Sequence, residues 1–150
     1  MGCSNGSIRA SDDARPKAVS AETEADVPYS EDLKNPSDAK AWGQAADRKR
    51  PLRVHIRRAL VNQIRLLAPG ARVLELGSGP GLLAEQVLLN CAAIARYTLL
   101  DFSKPMLEMS RDRVARFSSA EFVNADFRSQ DWMQYVTPPY DAVVSMQAVH

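Results

Sequence analysis

Apolar positions follow two regimes that meet near Gly70. Before it, "PLRVHIRRALVNQIRLL" returns Leu52, Ile56, Leu60, Ile64 and Leu67 to one face of a helix. Pro51 suits a first helical turn and "APG" at 68–70 ends it. The spacing predicts a buried apolar stripe, with Arg53, Arg57, Arg58 and Arg65 off the stripe on a solvated face. After Gly70, short apolar runs alternate with amphipathic stretches. "ARVLEL" (71–76) reads as a buried strand and "LLAEQVLLNCA" as a helix. "RYTLLD" (96–101) reads as a second strand, and "SKPMLEMSRDRVARF" (103–117) as a helix capped by Ser103. "AEFVNAD" (120–126) is a third strand, "SQDWMQYV" (129–136) a short helix and "YDAVVSM" (140–146) a fourth strand. Strands separated by helices at this rhythm predict βαβ units and a parallel sheet, a Rossmann-like doubly wound α/β fold. Ala142, Val143 and Val144 form a continuous apolar run, as expected of a strand covered by helices on both faces.

No such rhythm precedes Trp42. Residues 1–40 are rich in Ser, Asp, Glu, Ala and Lys and hold few residues able to form a core. They are predicted to be a disordered lead-in, with one domain over 41–150 and Gly43 ahead of the first helix. "MGCSNGS" has the Gly2 of an acylation start, but Gly6 stands where that pattern needs Ser or Thr, which argues against lipidation. No stretch reaches the roughly 20 apolar residues of a membrane span, and the start has no apolar signal core. Two cysteines in 150 residues make no disulfide framework, so a reducing, cytoplasmic setting is expected. The net charge of +1 draws the chain to no polyanion. Arg48, Lys49 and Arg50 join the helix arginines in a basic cluster, yet no aromatics interleave with it to stack bases. Nucleic acid is therefore not the expected partner.

The chemistry concentrates in "VLELGSGPGLL", residues 73–83. Gly77, Gly79 and Gly81 lie between a strand and a helix, where bare backbone permits a sharp turn and close approach of a ligand. A dinucleotide fingerprint needs G-x-G-x-x-G, but Leu82 occupies its third glycine position, which disfavours a nicotinamide oxidoreductase. Glu75 just under the turn suits a cationic or zwitterionic nucleoside better than a pyrophosphate.

"ELGSGPG", with Ser78 among its glycines, resembles the first motif of class I S-adenosylmethionine-dependent methyltransferases, (D/E)-x-G-x-G-x-G. The resemblance runs over roughly 42–150 and implies S-adenosyl-L-methionine as cofactor. It gives Asp101 the ribose hydroxyls, and Phe102 and Met106 apolar contact with the adenine. In "NADF", it gives Asp126 the adenine amine and Phe127 a backbone contact with a ring nitrogen. In "YDAVVSMQAVH", it sets Ser145 and Met146 beside the methionine moiety. The implied reaction is methyl transfer, by in-line displacement, to a small molecule whose identity is unreadable. The alternative is a non-catalytic cofactor-binding or interaction fragment. No catalytic base is evident, since His150 is terminal and His55 falls on the basic helix, and no metal site is expected. The family sheet has seven strands whereas this chain ends after the fourth, so an incomplete sheet and self-association through its apolar edge are expected.

Overall fold

The computed structural model describes residues 32–146. The acylation-like start, most of the expected lead-in and His150 lie outside the described residues. Among these residues four strands form one parallel sheet: β1 (Arg72–Leu76), β2 (Arg96–Asp101), β3 (Ala120–Asn124) and β4 (Ala142–Ser145). Their spatial order is β3-β2-β1-β4. The chain thus builds outward from β1 through β2 to β3, then returns to the other side of β1. The gap between β1 and β4 is the switch point, where ligands of such sheets bind at the carboxyl ends of the strands. Register aligns those ends, pairing Leu76 with Leu100 and with Ser145, and Asp101 with Asn124.

Among the described residues four α-helices accompany the sheet: α1 (Pro36–Lys49), α2 (Leu52–Ile64), α3 (Leu82–Asn90) and α4 (Lys104–Val114). The predicted short helix is a single 3-10 turn, Trp132–Tyr135. The core joins Val73, Tyr97 and Leu99 of the central strands to Leu83, Val87 and Leu107 of α3 and α4. β2 is the most completely covered strand, with every residue from Tyr97 to Asp101 buried. The expected cap of α4 is present, with Ser103 Oγ accepting from the Met106 backbone N–H.

Three expectations need correction. Helical structure begins at Pro36, inside the stretch assigned to the lead-in, with Asn35 as N-cap and proline in the first turn. Gly43 accordingly lies within α1, and a β-carbon there would stand 2.6 Å from Met109 Cε and 3.5 Å from Pro80 Cβ.

The second correction concerns α2, which is turned relative to its predicted stripe. Leu52 is 71% exposed and Ile56 39%, whereas Arg53 (4%) and Arg57 (2%) are buried with Val61 and Ile64. Only the last turns of α2 join the apolar core. Its first turns face α1, which offers a carboxylate and an indole instead of aliphatic side chains. Arg57 donates to both oxygens of Asp47, at 2.7 and 2.5 Å, and that pairing holds the Asp47 carboxyl below its usual pKa. Arg53 lies over the Trp42 ring, 4.8 Å from its centroid.

The third concerns β4. Ala142 and Val144 pack against the core, but Val143 is 58% exposed, so among the described residues helices cover one face only.

Candidate functional site

The turn after β1 is pinned from the neighbouring strand. Gly77 and Ser78 N–H both donate to the Leu100 carbonyl, at 2.8 and 3.1 Å, and Gly79 N–H donates to Asp101 Oδ2 at 2.8 Å. Gly77, Gly79 and Gly81 have φ of 65°, 54° and 77°, the left-handed region in which a side chain is strained. Gly79 and Gly81 have different surroundings. A β-carbon on Gly79 would come no nearer than 3.9 Å to Trp42, facing open space beyond it. On Gly81 it would meet Ser110 Cβ at 2.8 Å and Cα at 3.1 Å. Gly81 therefore lets α4 pack closely against the start of α3, while Gly79 keeps the cleft open.

That cleft spans about 310 Å³ at the switch point, part of it open to solvent. Glu75, Gly77, Ser78 and Gly79 line it from the β1 side and Met146 from beyond β4. Trp42 and Arg53 close it from α1 and α2, and neither was singled out as a site residue in the sequence. The signal for Trp42 was the Asn35-Pro36 helix start with Ala39, Trp42 and Ala46 at helical spacing after it. Arg53 carried no comparable signal, because it falls off the apolar stripe of its helix.

Glu75 is 2% exposed and accepts from Tyr97 Oη at 2.9 Å. Burial raises its pKa to about 8; the Tyr97 hydrogen bond opposes the rise and the nearby Asp101 charge adds to it. Burial and Glu75 push the Tyr97 hydroxyl up as well. Asp101 is buried at the end of β2. Desolvation raises its pKa, countered by hydrogen bonds to its two oxygens from Ser103 N–H (2.8 Å) and Gly79 N–H.

The remaining predicted residues surround this centre less tightly. Met106 is 1% exposed, in the interior beneath α4. Phe102 is partly buried, with the Arg128 guanidinium 5.7 Å from its ring centroid. Asp126 pairs with that arginine, accepting from Nε at 3.0 Å and from Nη2 at 2.8 Å, which lowers its pKa. Phe127 is partly buried beside it in sequence. Ser145 is exposed and donates to the Leu76 carbonyl at 3.0 Å. The turn, Asp101 and Met146 thus share one end of the sheet, while Asp126 and Phe102 form a neighbouring group around Arg128. Among the described residues no grouping of His, Cys, Asp and Glu could hold a metal, and no helix is long and apolar enough to cross a membrane.

A family described as a methyltransferase domain matches residues 73–150, from the first strand through the glycine turn and beyond. The chain belongs to that family. The chain is 30% identical over 97 residues to part of a highly reducing polyketide synthase of Emericella nidulans, covering 61% of this chain and 4% of that one. A Methanococcus maripaludis protein described as an S-adenosyl-L-methionine-dependent methyltransferase superposes with a TM-score of 0.60 at 22% identity. That match covers 81% of this chain and 54% of the other. Coclaurine N-methyltransferase, solved with N-methylheliamine and S-adenosylhomocysteine, superposes with a TM-score of 0.52 at 20% identity, covering 62% of this chain and 26% of that one. The chain therefore spans about half the length of the archaeal protein and a small part of the synthase. The shared architecture is that of the class I methyltransferases.

Proposed function

We propose that this domain binds S-adenosylmethionine in the cleft at the β1–β4 switch point and transfers its methyl group to a small molecule. The observation that carries this reading is Ser78 Oγ. It is buried in the cleft wall and has no hydrogen-bond partner among the described residues, beside a turn whose open side at Gly79 would be filled by any larger residue. A buried hydroxyl without a partner is costly, and a polar ligand would satisfy it. The pinned turn supports the choice of ligand. Gly77, Ser78 and Gly79 N–H groups are engaged by Leu100 and Asp101, so the turn does not offer the row of free donors that a pyrophosphate needs.

In this reading Asp101 takes the ribose hydroxyls. Each of its oxygens already accepts one backbone N–H and retains acceptor capacity. Glu75 faces the ligand's ammonium, Phe102 borders the base, Asp126 and Phe127 read its edge, and Ser145 and Met146 lie along the methionine chain. The bound cofactor supplies an electrophilic methyl on a cationic sulfur. The protein's part is to orient it and to exclude water, with proton removal needed only for an acceptor that must ionise.

The inward turn of Arg53 and Arg57 breaks up the basic cluster, which favours a small acceptor over nucleic acid. The names of the polyketide synthase and coclaurine N-methyltransferase relatives support the same choice. The free, buried Cys91 accords with a reducing, cytoplasmic setting. The outward edge of β4, unpaired among the described residues, supports association through that strand. Thermal melting with S-adenosylhomocysteine and with NADH tests the reading. At about 100 times its dissociation constant the first should add about 2.7 kcal/mol of stability. A shift with NADH alone would overturn the proposal.

A further inference from the structure

The basic stretch around α2 is the sequence feature that the cleft leaves largely unused. Between Asp47 and Glu75 the chain holds no acidic residue, a local imbalance that the net charge of +1 conceals. Arg53 and Arg57 turn inward, but Arg48, Arg50, Arg58 and Arg65 remain exposed. None of these four forms an ion pair among the described residues. The inward turn has a second consequence. It carries the apolar stripe of α2 outward, so Leu52 and Ile56, one helical turn apart, face solvent together. Leu52 is 71% exposed, and Leu66, in the turn that follows the helix, is 79% exposed. Arg58 and Arg65, seven residues apart, form a second outward row along the same helix.

What this face meets must accept cations and aliphatic side chains side by side. Nucleic acid would pair its phosphates with the arginines and leave the leucines in water. A second copy of the chain would set arginine rows against each other across a twofold axis, which like charge opposes. A bilayer surface with anionic headgroups meets both needs. Its phosphates and carboxylates take the guanidinium groups, while Leu52, Ile56 and Leu66 enter the boundary of the acyl chains. Such a helix lies on a membrane, which requires no spanning segment. The ridge is also convex and built from single protruding side chains, so a deformable surface can receive it without a matching groove.

We propose that the outer face of α2, with Arg48 and Arg50 ahead of it, docks on an anionic lipid surface. The same turn of helix sends Leu52 outward and Arg53 to the wall of the cleft. Docking would therefore hold the cleft close to the lipid. The assignment stands on α2 and its flanks and does not depend on which cofactor the cleft takes.

The test is flotation of the full chain with two kinds of vesicle, phosphatidylcholine alone and an equal mixture of phosphatidylcholine and phosphatidylserine. The chain is expected to float with the mixed vesicles at low ionic strength, and scarcely with phosphatidylcholine. Arg58→Gln with Arg65→Gln should weaken partitioning by about fivefold per charge. Leu52→Ser with Ile56→Ser should weaken it by roughly tenfold per residue. All four positions are exposed, so circular dichroism melts of both variants should match the parent. No flotation of the parent with the mixed vesicles would overturn the assignment. So would a loss in the arginine variant with none in the serine variant, which would mark plain attraction of cations to a polyanion. A parent that binds a polyglutamate peptide and neither vesicle would overturn it as well, and would give the face to an acidic protein.

Discussion

Gly79 N–H donates to Asp101 Oδ2 at 2.8 Å, which locks the glycine turn after β1 to the end of β2. The second oxygen of Asp101 accepts from Ser103 N–H at the start of α4. One carboxylate therefore organises both loops of the site before any ligand arrives. Asp101→Ala would leave two donors without an acceptor, costing roughly 1–3 kcal/mol of stability for each that stays buried. It should also weaken S-adenosylhomocysteine binding. Melting without ligand and calorimetry with it separate the two losses, and a variant that melts like the parent would contradict this organising role.

The glycines of the turn should respond differently to substitution. Gly81→Ala would press a methyl group on Ser110 Cβ at 2.8 Å, so α3 and α4 must part and the melting temperature should fall. Gly79→Ala meets only Trp42, at 3.9 Å, and carries chiefly the strain of a left-handed backbone, about 1 kcal/mol. Gly79→Val adds branches that enter the cleft, and binding should be lost. Circular dichroism melts with parallel binding measurements check this order, which equal destabilisation by the two alanine variants would contradict.

Glu75 makes the ligand-free domain sensitive to pH. Its pKa rises from 4.5 to about 8, so between those values the folded chain holds a proton that the unfolded chain has released. Its contribution to stability is complete below about 4.5 and is lost as pH rises through about 8. The slope in that window is up to about 1.4 kcal/mol per pH unit. Tyr97, which donates to it, and Asp101, whose charge adds to the rise, are the titratable groups that act on it. Glu75→Gln retains an acceptor for Tyr97 and should flatten the slope. Urea midpoints for both proteins across this range test it, with parallel profiles as the contradicting result.

β4 pairs only with β1 among the described residues, and Val143 projects from its uncovered face. The chain is expected to self-associate in sedimentation velocity, and Val143→Lys to reduce that association, as charges on natural edge strands do. A monodisperse parent that melts cooperatively would contradict the role given to this edge.

The sheet was legible because each strand is a short apolar run bounded by turns and separated from the next by a helix. The glycine turn was legible because left-handed backbone at Gly77, Gly79 and Gly81 leaves a mark on residue type. The face of α2 was not. Leu52 and Ile56 fit the same four-residue spacing as Arg53 and Arg57, and periodicity alone gives no way to choose between the two sets. What decides is α1, whose Asp47 and Trp42 receive the arginines, and α1 lies in a polar stretch held by small residues such as Ala39, Ala45 and Ala46. The polar wall of the cleft was hidden for the same reason. Met106 fits an adenine contact by position in the motif, yet α4 buries it.

The most direct test of the cofactor site is an amide-resolved NMR titration of the full chain with S-adenosylhomocysteine. The account predicts saturable shifts concentrated at Gly77, Ser78, Gly79 and Asp101 and at the Trp42 indole, with small changes at the far ends of the strands. Shifts confined to other surfaces, or none at all at high ligand concentration, would contradict it.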